Sequence, residues 1–409
     1  MGLLEKLHHP ERYAKSFVKW TALGLLLGCC GGFWGAVFHH ALHFMTHLRT
    51  ENPWLIFLLP LAGLATMGIY STRKLRRNRG TNEIIDATLE GGEVSLLVAP
   101  AIFVSTALTH LFGGSAGREG AALQIGGSTA TLWARVLHLN ERERRVMTMA
   151  GMSAVFAGLF GTPLTATLFC MEFEAVGTIF SPALLPCFLA AYTASRVSGM
   201  MGVHAEVFPM EITTALKLPV LLRYGVLAVL VALLGIAMCW VFHNAEHLAK
   251  HRLPNPWVRI ALGGALITVM TLIAGDQRFN GAGMDMALRA VGGEADWYSF
   301  LVKMLFTAVT LAAGFKGGEI VPTFCIGATF GCVAGGLLGL APGMAAAAGL
   351  VGLFCCVTNS PFASIMLSIE MFGGANLYLF AFMCVICFVL SGNSGLYASQ
   401  IIQFSKTNE

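Results

Sequence analysis

Two short stretches place ionisable residues where an apolar chain would not otherwise keep them. In GSAGREGAALQIGG, residues 114–127, Glu119 stands among glycines, and its only nearby counter-charge is Arg118. Gly114, Gly117 and Gly120 clear side chains from a helix start, so backbone N–H groups can point into a cavity. Those donors and the positive end of the helix dipole make an anion site. A glutamate there puts its own carboxylate where a solute anion would sit. Protonated, it loses its attraction to the N–H groups and moves aside, which links proton and anion movement. The alternative is a helix-capping glutamate paired with Arg118. A second stretch, GFKGGEIVPTFCIGATFG from Gly314, repeats the design through Gly317, Gly318, Glu319, Ile320 and Val321. Two such starts in register would converge on one anion.

The elements that must hold these groups are membrane helices. The 409 residues are 56% hydrophobic and 12% charged, with a mean hydropathy of +0.70, whereas soluble domains are about 25% charged. Apolar runs recur from Phe17 onward, many long enough to cross a hydrocarbon core of roughly 30 Å. The short alternating strands of a β-barrel do not occur. The pattern predicts an all-α polytopic membrane protein of about seventeen tilted and re-entrant helices. They cover about 17–47, 54–72, 95–112, 118–137, 142–160, 163–178, 181–203, 219–248, 257–275, 298–313, 320–340, 344–358, 361–374 and 376–392, with shorter pieces near 83–90, 283–291 and 396–405. Broken helices at membrane depth are tolerated where they are buried in protein or line an aqueous cavity.

The chain also repeats itself. VFHHALH at 37–43 matches VFHNAEH at 241–247, GREG at 117–120 matches GGEI at 317–320, and PLTATLFCME at 163–172 matches PFASIMLSIE at 361–370. The offsets are 204, 200 and 198. A first repeat over 17–205 and a second over 219–405 are therefore expected, joined by 206–218, with an amphipathic cytoplasmic segment at 1–16 and a tail at 406–409. Internal repeats in transporters put the binding site where interrupted helices of the two halves meet.

Basic clusters at Lys74, Arg76, Arg77 and Arg79 and at Arg142, Arg144 and Arg145 place those loops, and both termini, in the cytoplasm. The N-terminus lacks the apolar core and cleavage site of a signal peptide, and Lys6 and Leu7 stand where myristoylation needs Ser or Thr. The eleven cysteines fall inside apolar runs at spacings unlike metal sites and read as packing residues. His39, His40, His43 and His47, and His243, His247 and His251, have a spacing that would suit a metal, but read better as polar residues at helix ends. Trp20, Trp34, Trp54, Trp240 and Trp257 fit aromatic belts. Glu172 and Glu370, closing the twin proline-to-glutamate motifs, read as structural or near the aqueous mouths. No nucleophile–base pair appears, so an enzyme is not expected, nor is a cofactor, a metal or a nucleic-acid partner.

These motifs carry a resemblance. GSAGREGAALQIGG resembles the glutamate-gate motif of the CLC family of anion channels and proton-coupled antiporters. GTPLTATLFCMEFE and NSPFASIMLSIEMF resemble that family's paired helix starts, and GLYASQ its last helix, with Tyr397 as the pore tyrosine. The resemblance covers nearly the whole chain and implies the CLC fold in two inverted repeats, in a homodimer with a separate pathway in each subunit. It also exposes departures. GTNEI at 80–84 replaces the family's serine loop, putting Thr81 at the anion position with Asn82 beside it; Phe173 stands where antiporters carry an internal proton glutamate; and Glu319 replaces an apolar residue. Together these resemble the fluoride/proton antiporter branch. Fluoride is small and strongly hydrated, so it needs hydroxyl, amide and backbone donors, here Thr81, Asn82 and Tyr397. A carboxylic acid kept neutral in a dry site is a further donor, a role for Glu319. A chloride or nitrate transporter of the same fold, or a passive proton-gated channel, is the alternative.

Overall fold

The computed structural model describes residues 10–73, 75, 78–208 and 217–406. Of the basic cluster, Lys74, Arg76 and Arg77 lie outside these residues, as do most of the expected N-terminal segment, the middle of the connecting segment and the last three residues. The fold is all-α and polytopic, with sixteen α-helices among the described residues. The first eight are α1 (Pro10–Glu51), α2 (Leu59–Tyr70), α3 (Thr81–Glu90), α4 (Val98–Leu111), α5 (Glu119–Val136), α6 (Glu141–Phe160), α7 (Pro163–Glu172) and α8 (Leu184–Met200). The second eight are α9 (Leu218–Arg252), α10 (Pro256–Ala274), α11 (Met284–Val291), α12 (Ser299–Ala313), α13 (Ile320–Leu337), α14 (Pro342–Thr358), α15 (Pro361–Phe372) and α16 (Leu377–Leu390). Element for element the halves correspond: a very long helix first, a very short one third, an 18-residue helix fifth.

Five helical spans among the described residues are long and apolar enough to cross a membrane, including Glu11–Glu51 and Leu218–Arg252. Most of the rest are shorter, α5 and α6 at 18 and 20 residues are less apolar, and they survive because their ends meet protein. The centre of each half is a crossing of its fifth and sixth helices through glycines. A Cβ added to Gly327 of α13 would sit 2.6 Å from the Gly349 carbonyl of α14, and Gly126 of α5 and Gly151 of α6 approach in the same way. Small residues let helix backbones touch where lipid gives no hydrophobic push.

The twin motifs lock the halves together. Pro163 and Pro361 open α7 and α15, pre-setting the first turn. Glu370, in the last turn of α15, accepts the N–H groups of Leu164 and Thr165 at 2.8 Å each and the Thr165 hydroxyl at 2.6 Å. Glu172, at the end of α7, accepts the N–H groups of Phe362 and Ala363 at 3.2 and 2.9 Å. Each glutamate thus supplies the acceptors that the other helix start lacks, where the helix dipole also favours a negative charge. Their role here is capping.

Three expectations need correction. The piece at 396–405 is not a helix. Its Ile401–Ile402 form a short strand pairing in parallel with Ala175–Val176, because β-branched residues meet an extended partner that satisfies their backbone. That same strand ends α7 at Glu172 rather than near 178. Helix α1 starts at Pro10, so it runs without a break past residue 17. The eleven cysteines are free thiols, nine of them buried, and Trp34, Trp54, Trp240 and Trp257 face outward.

The reciprocal caps carry a measurable consequence. Glu370→Ala strands two backbone donors and a hydroxyl at the half-buried start of α7, a loss of about 1–3 kcal/mol for a group cut off from water, as at Thr165, and less at the exposed Leu164. The detergent-solubilised variant should melt several degrees below wild type, and Glu172→Ala should do the same. Unchanged melting of both would show that the caps do not hold the halves together.

Candidate functional site

The two glycine-rich starts meet end to end. Gly117 donates its N–H to the Gly318 carbonyl at 2.7 Å, and Gly318 donates back to the Gly117 carbonyl at 2.9 Å. This one-residue antiparallel bridge joins the N-termini of α5 and α13 across the two halves. It needs glycine: a Cβ on Gly318 would strike the Glu119 carboxylate, and one on Gly317 would strike Ala116. The bridge also corrects the expectation for the donors. The N–H of Gly117 is spent on the bridge and that of Gly114 on the Thr109 carbonyl at 2.8 Å, so these glycines offer space rather than hydrogen bonds. The first-turn N–H groups of Glu119 and Gly120 in α5, and of Ile320 and Val321 in α13, have no intrahelical acceptor.

Glu119 opens α5 and is fully buried. Neither carboxylate oxygen has a hydrogen-bond partner among the described residues, although the side chain folds back over Gly117 and Gly318 and faces the backbone N–H groups of Arg118 and Val321. Arg118 does not pair with it. The guanidinium forms an ion pair with Glu206, lies 3.3 Å from His39 Nδ1 and rests 4.9 Å over the Phe160 ring. The helix-capping ion pair that would have made Glu119 inert is therefore absent. A buried carboxylate with no partner is costly as an anion.

Two cavities approach this point. The larger, about 970 Å³, is lined by His39, Arg49, His110, Arg118, Glu206 and Val321 among others. The smaller, about 580 Å³, reaches Thr81, Asn82, Gly317, Glu319 and Tyr397, with His243, Glu246, Lys250 and Lys316 on its walls. The neighbours of Glu119 thus open on one side into the first cavity and on the other into the second, and its carboxylate stands in the wall between. The equivalent ends of α1 and α9 open onto different cavities, as inverted repeats require.

Thr81 is the first residue of α3, and its hydroxyl oxygen would lie 3.0 Å from a Cβ on Gly120. Asn82 accepts the Ser399 N–H on its Oδ1 at 2.9 Å, leaving its amide donors for the cavity it lines. Tyr397 is buried in a loop, its ring edge-on to Phe173 with centroids 5.9 Å apart. Gln400 holds that loop, donating to the carbonyls of Phe173 at 2.8 Å and Thr358 at 2.9 Å and accepting from Asn359 at 2.8 Å. Phe173, which stands in place of an acid, therefore serves as the wall behind Tyr397. Glu319 caps nothing with its side chain and faces the smaller cavity. Nearly all the site residues read from sequence are thus brought to one place, with Arg118 turned to the larger cavity.

The structure adds Lys303 to these residues. It is fully buried in α12, and its ammonium donates to Ser115 Oγ at 3.0 Å and to the carbonyls of Phe279 and Gly281 at 3.1 and 2.7 Å. It fastens the loop before Glu119 to the rim of the larger cavity. The signal was a lone charge in the apolar run SFLVKMLFTAVTLAA. The histidines stack in pairs, His39 on His43 and His247 on His251, and no group of three metal-ligating side chains occurs among the described residues.

Comparison with known proteins agrees with this geometry. The family model described as voltage gated chloride channel matches residues 62–392. A protein of Pseudomonas syringae pv. tomato named chloride/fluoride channel protein is 35% identical over 99% of this chain and 92% of its own length. The crystal structure of a CLC-type fluoride/proton antiporter superposes with a TM-score of 0.91 at 32% identity, covering 94% of this chain and 98% of that one. A slow cyanobacterial Cl−/H+ antiporter shares the fold, with a TM-score of 0.80 at 20% identity. Paired helix starts that meet at a glutamate, in a chain matched over most of its length, make this a multi-pass membrane protein of the voltage gated chloride channel family, with the CLC fold.

Proposed function

We propose that this protein exports fluoride in exchange for protons. The observation that carries the reading is the partnerless, fully buried Glu119 carboxylate in the wall between two cavities. Deprotonated, Glu119 is drawn to the N–H groups of the two helix starts and blocks the path. Protonated, it gives up that attraction and an anion takes its place. Each exchange of anion for carboxylate then carries a proton with it, and a single site gives coupled, opposite fluxes.

Selectivity for fluoride rests on donors. Small, strongly hydrated anions need several short hydrogen bonds to offset dehydration, and the smaller cavity offers the hydroxyls of Thr81 and Tyr397 and the Asn82 amide. Glu319 adds an O–H donor whenever it is protonated, whereas its carboxylate repels the ion. Because the cavity reaches Glu319, water can bring it a proton directly, and Phe173 in place of an internal acid breaks no relay. The match to a fluoride/proton antiporter at 32% identity supports this reading over a chloride exchanger.

Arg79 and Lys250 line the smaller cavity, which by the positive-inside rule faces the cytoplasm, as do both termini. Transported fluoride and protons are the only small partners; the reaction makes no covalent bond and uses no cofactor. The protein works as a homodimer in lipid, with one pathway inside each chain, since each chain closes both helix starts around a complete site.

In proteoliposomes loaded with fluoride, Glu119→Gln should abolish fluoride-driven proton movement while the protein still elutes as a folded dimer. Uphill proton transport by that variant would refute the gate.

Glu319→Ala should lower fluoride flux by about tenfold or more, the worth of one strong buried donor, with dimerisation intact. Wild-type vesicles should release fluoride well ahead of chloride, and equal rates for the two ions would return the protein to the general anion transporters.

Dimers with one Glu119→Gln subunit should keep about half the coupled flux, because closed point-group dimers place equivalent sites in each chain. Complete loss would put the pathway at the subunit interface.

A further inference from the structure

We infer that Arg49 forms a separate anion-docking site on the inner wall of the larger cavity, where fluoride pauses between the gate and the membrane surface. Arg49 lies in the last turn of α1, is only 5% exposed and lines that cavity. Its guanidinium donates one hydrogen bond, from Nη1 to the His110 carbonyl at 3.1 Å, and its Nε has no partner. No carboxylate forms an ion pair with it among the described residues. The other arginines on this wall differ: Arg118 is held by Glu206, Arg278 by Asp276 and Asp296, and Arg289 is exposed.

The arginine is also fixed. Gly281, at φ +66°, leaves room for it: a Cβ there would lie 3.0 Å from Nη1. The same glycine donates its N–H to the Gly114 carbonyl at 2.9 Å, and the His110 ring reaches the Gly117 carbonyl at 3.4 Å. The guanidinium is thereby tied to both ends of the loop that carries Glu119. A buried guanidinium without an acid, facing water inside a membrane protein, has unused donors and an uncompensated charge. Both are met by a small hard anion through charge-assisted hydrogen bonds. Asp285, exposed on the same cavity, is a competing charge: its field acts on Arg49 without reaching ion-pair distance. The site lies apart from the helix starts where Glu119 and the anion exchange, and naming the anion as fluoride rests on the transport reading above.

The test is fluoride flux in proteoliposomes as external sodium fluoride is varied at constant ionic strength. Arg49→Gln should raise the half-saturating concentration about tenfold, the loss of one charge-assisted contact, and by more than it changes the saturating rate. Arg49→Lys, which keeps the charge, should hold that shift to about threefold. Asp285→Asn removes the competing carboxylate and should lower the half-saturating concentration by about twofold to threefold. An unchanged half-saturating concentration in Arg49→Gln overturns the site, as does weaker fluoride dependence in Asp285→Asn. If Arg49→Gln does not fold, the Lys and Asp285→Asn variants decide alone. A wild-type protein that carries no fluoride fails the transport reading instead, and the same titration with chloride then tests the site.

Discussion

Everything at the centre of this protein follows from two hydrogen bonds between Gly117 and Gly318. They hold the positive ends of two helix dipoles face to face, an arrangement that repels itself unless negative charge sits between. The helix starts thus create the demand for an anion before any side chain is considered. The close approach excludes a side chain at Gly318, where a Cβ would lie 2.8 Å from the Gly120 backbone nitrogen and 2.9 Å from that of Glu119. The Glu119 side chain folds back across the bridge, its carboxylate over Gly117 and Gly318.

The rest of the fold keeps those two starts aligned. Equivalent glycine crossings in each half set the tilt of α5 against α6 and of α13 against α14. The exchange of Glu172 and Glu370 caps pins α7 and α15 to each other. Lys303 fastens the loop ahead of Glu119 from behind. Gln400 and Asn82 clamp the loop of Tyr397 from two directions. The two-fold scaffold carries one-sided chemistry: Glu119 is sealed in the wall, whereas its counterpart Glu319 faces water.

Charge is handled unevenly along the wall of the larger cavity. Arg118 and Arg278 are neutralised by acids, and Arg49 is not. Ion pairs on a cavity wall shape it and leave little net field, whereas a single unpaired cation attracts the transported species. The buried Lys303 donates to a hydroxyl and two carbonyls and Arg49 to one carbonyl, contacts that hold a cation in place without cancelling its charge.

The amino-acid sequence by itself determined the class, the repeat and most helix limits. Composition does this through bulk transfer energy, and Pro163, Pro256 and Pro361 mark helix starts because a proline at N1 sacrifices no hydrogen bond. It also marked Glu119 and Glu319, since glycine-rich starts and misplaced acids are local features, whereas Thr81 and Tyr397 followed from the resemblance of GTNEI and GLYASQ to family motifs. What only the tertiary structure decided were partners far apart in the chain. That Arg118 turns to Glu206 rather than to its neighbour Glu119, that Gly117 spends its N–H on Gly318, and that Ile401–Ile402 extend beside Ala175–Val176 all depend on contacts across many residues. Local pattern carries no record of such contacts, because the energy that selects them appears only when the two halves close around each other. The same holds for Arg49 and Lys303, ordinary basic residues in sequence whose meaning comes from burial without an acid beside them.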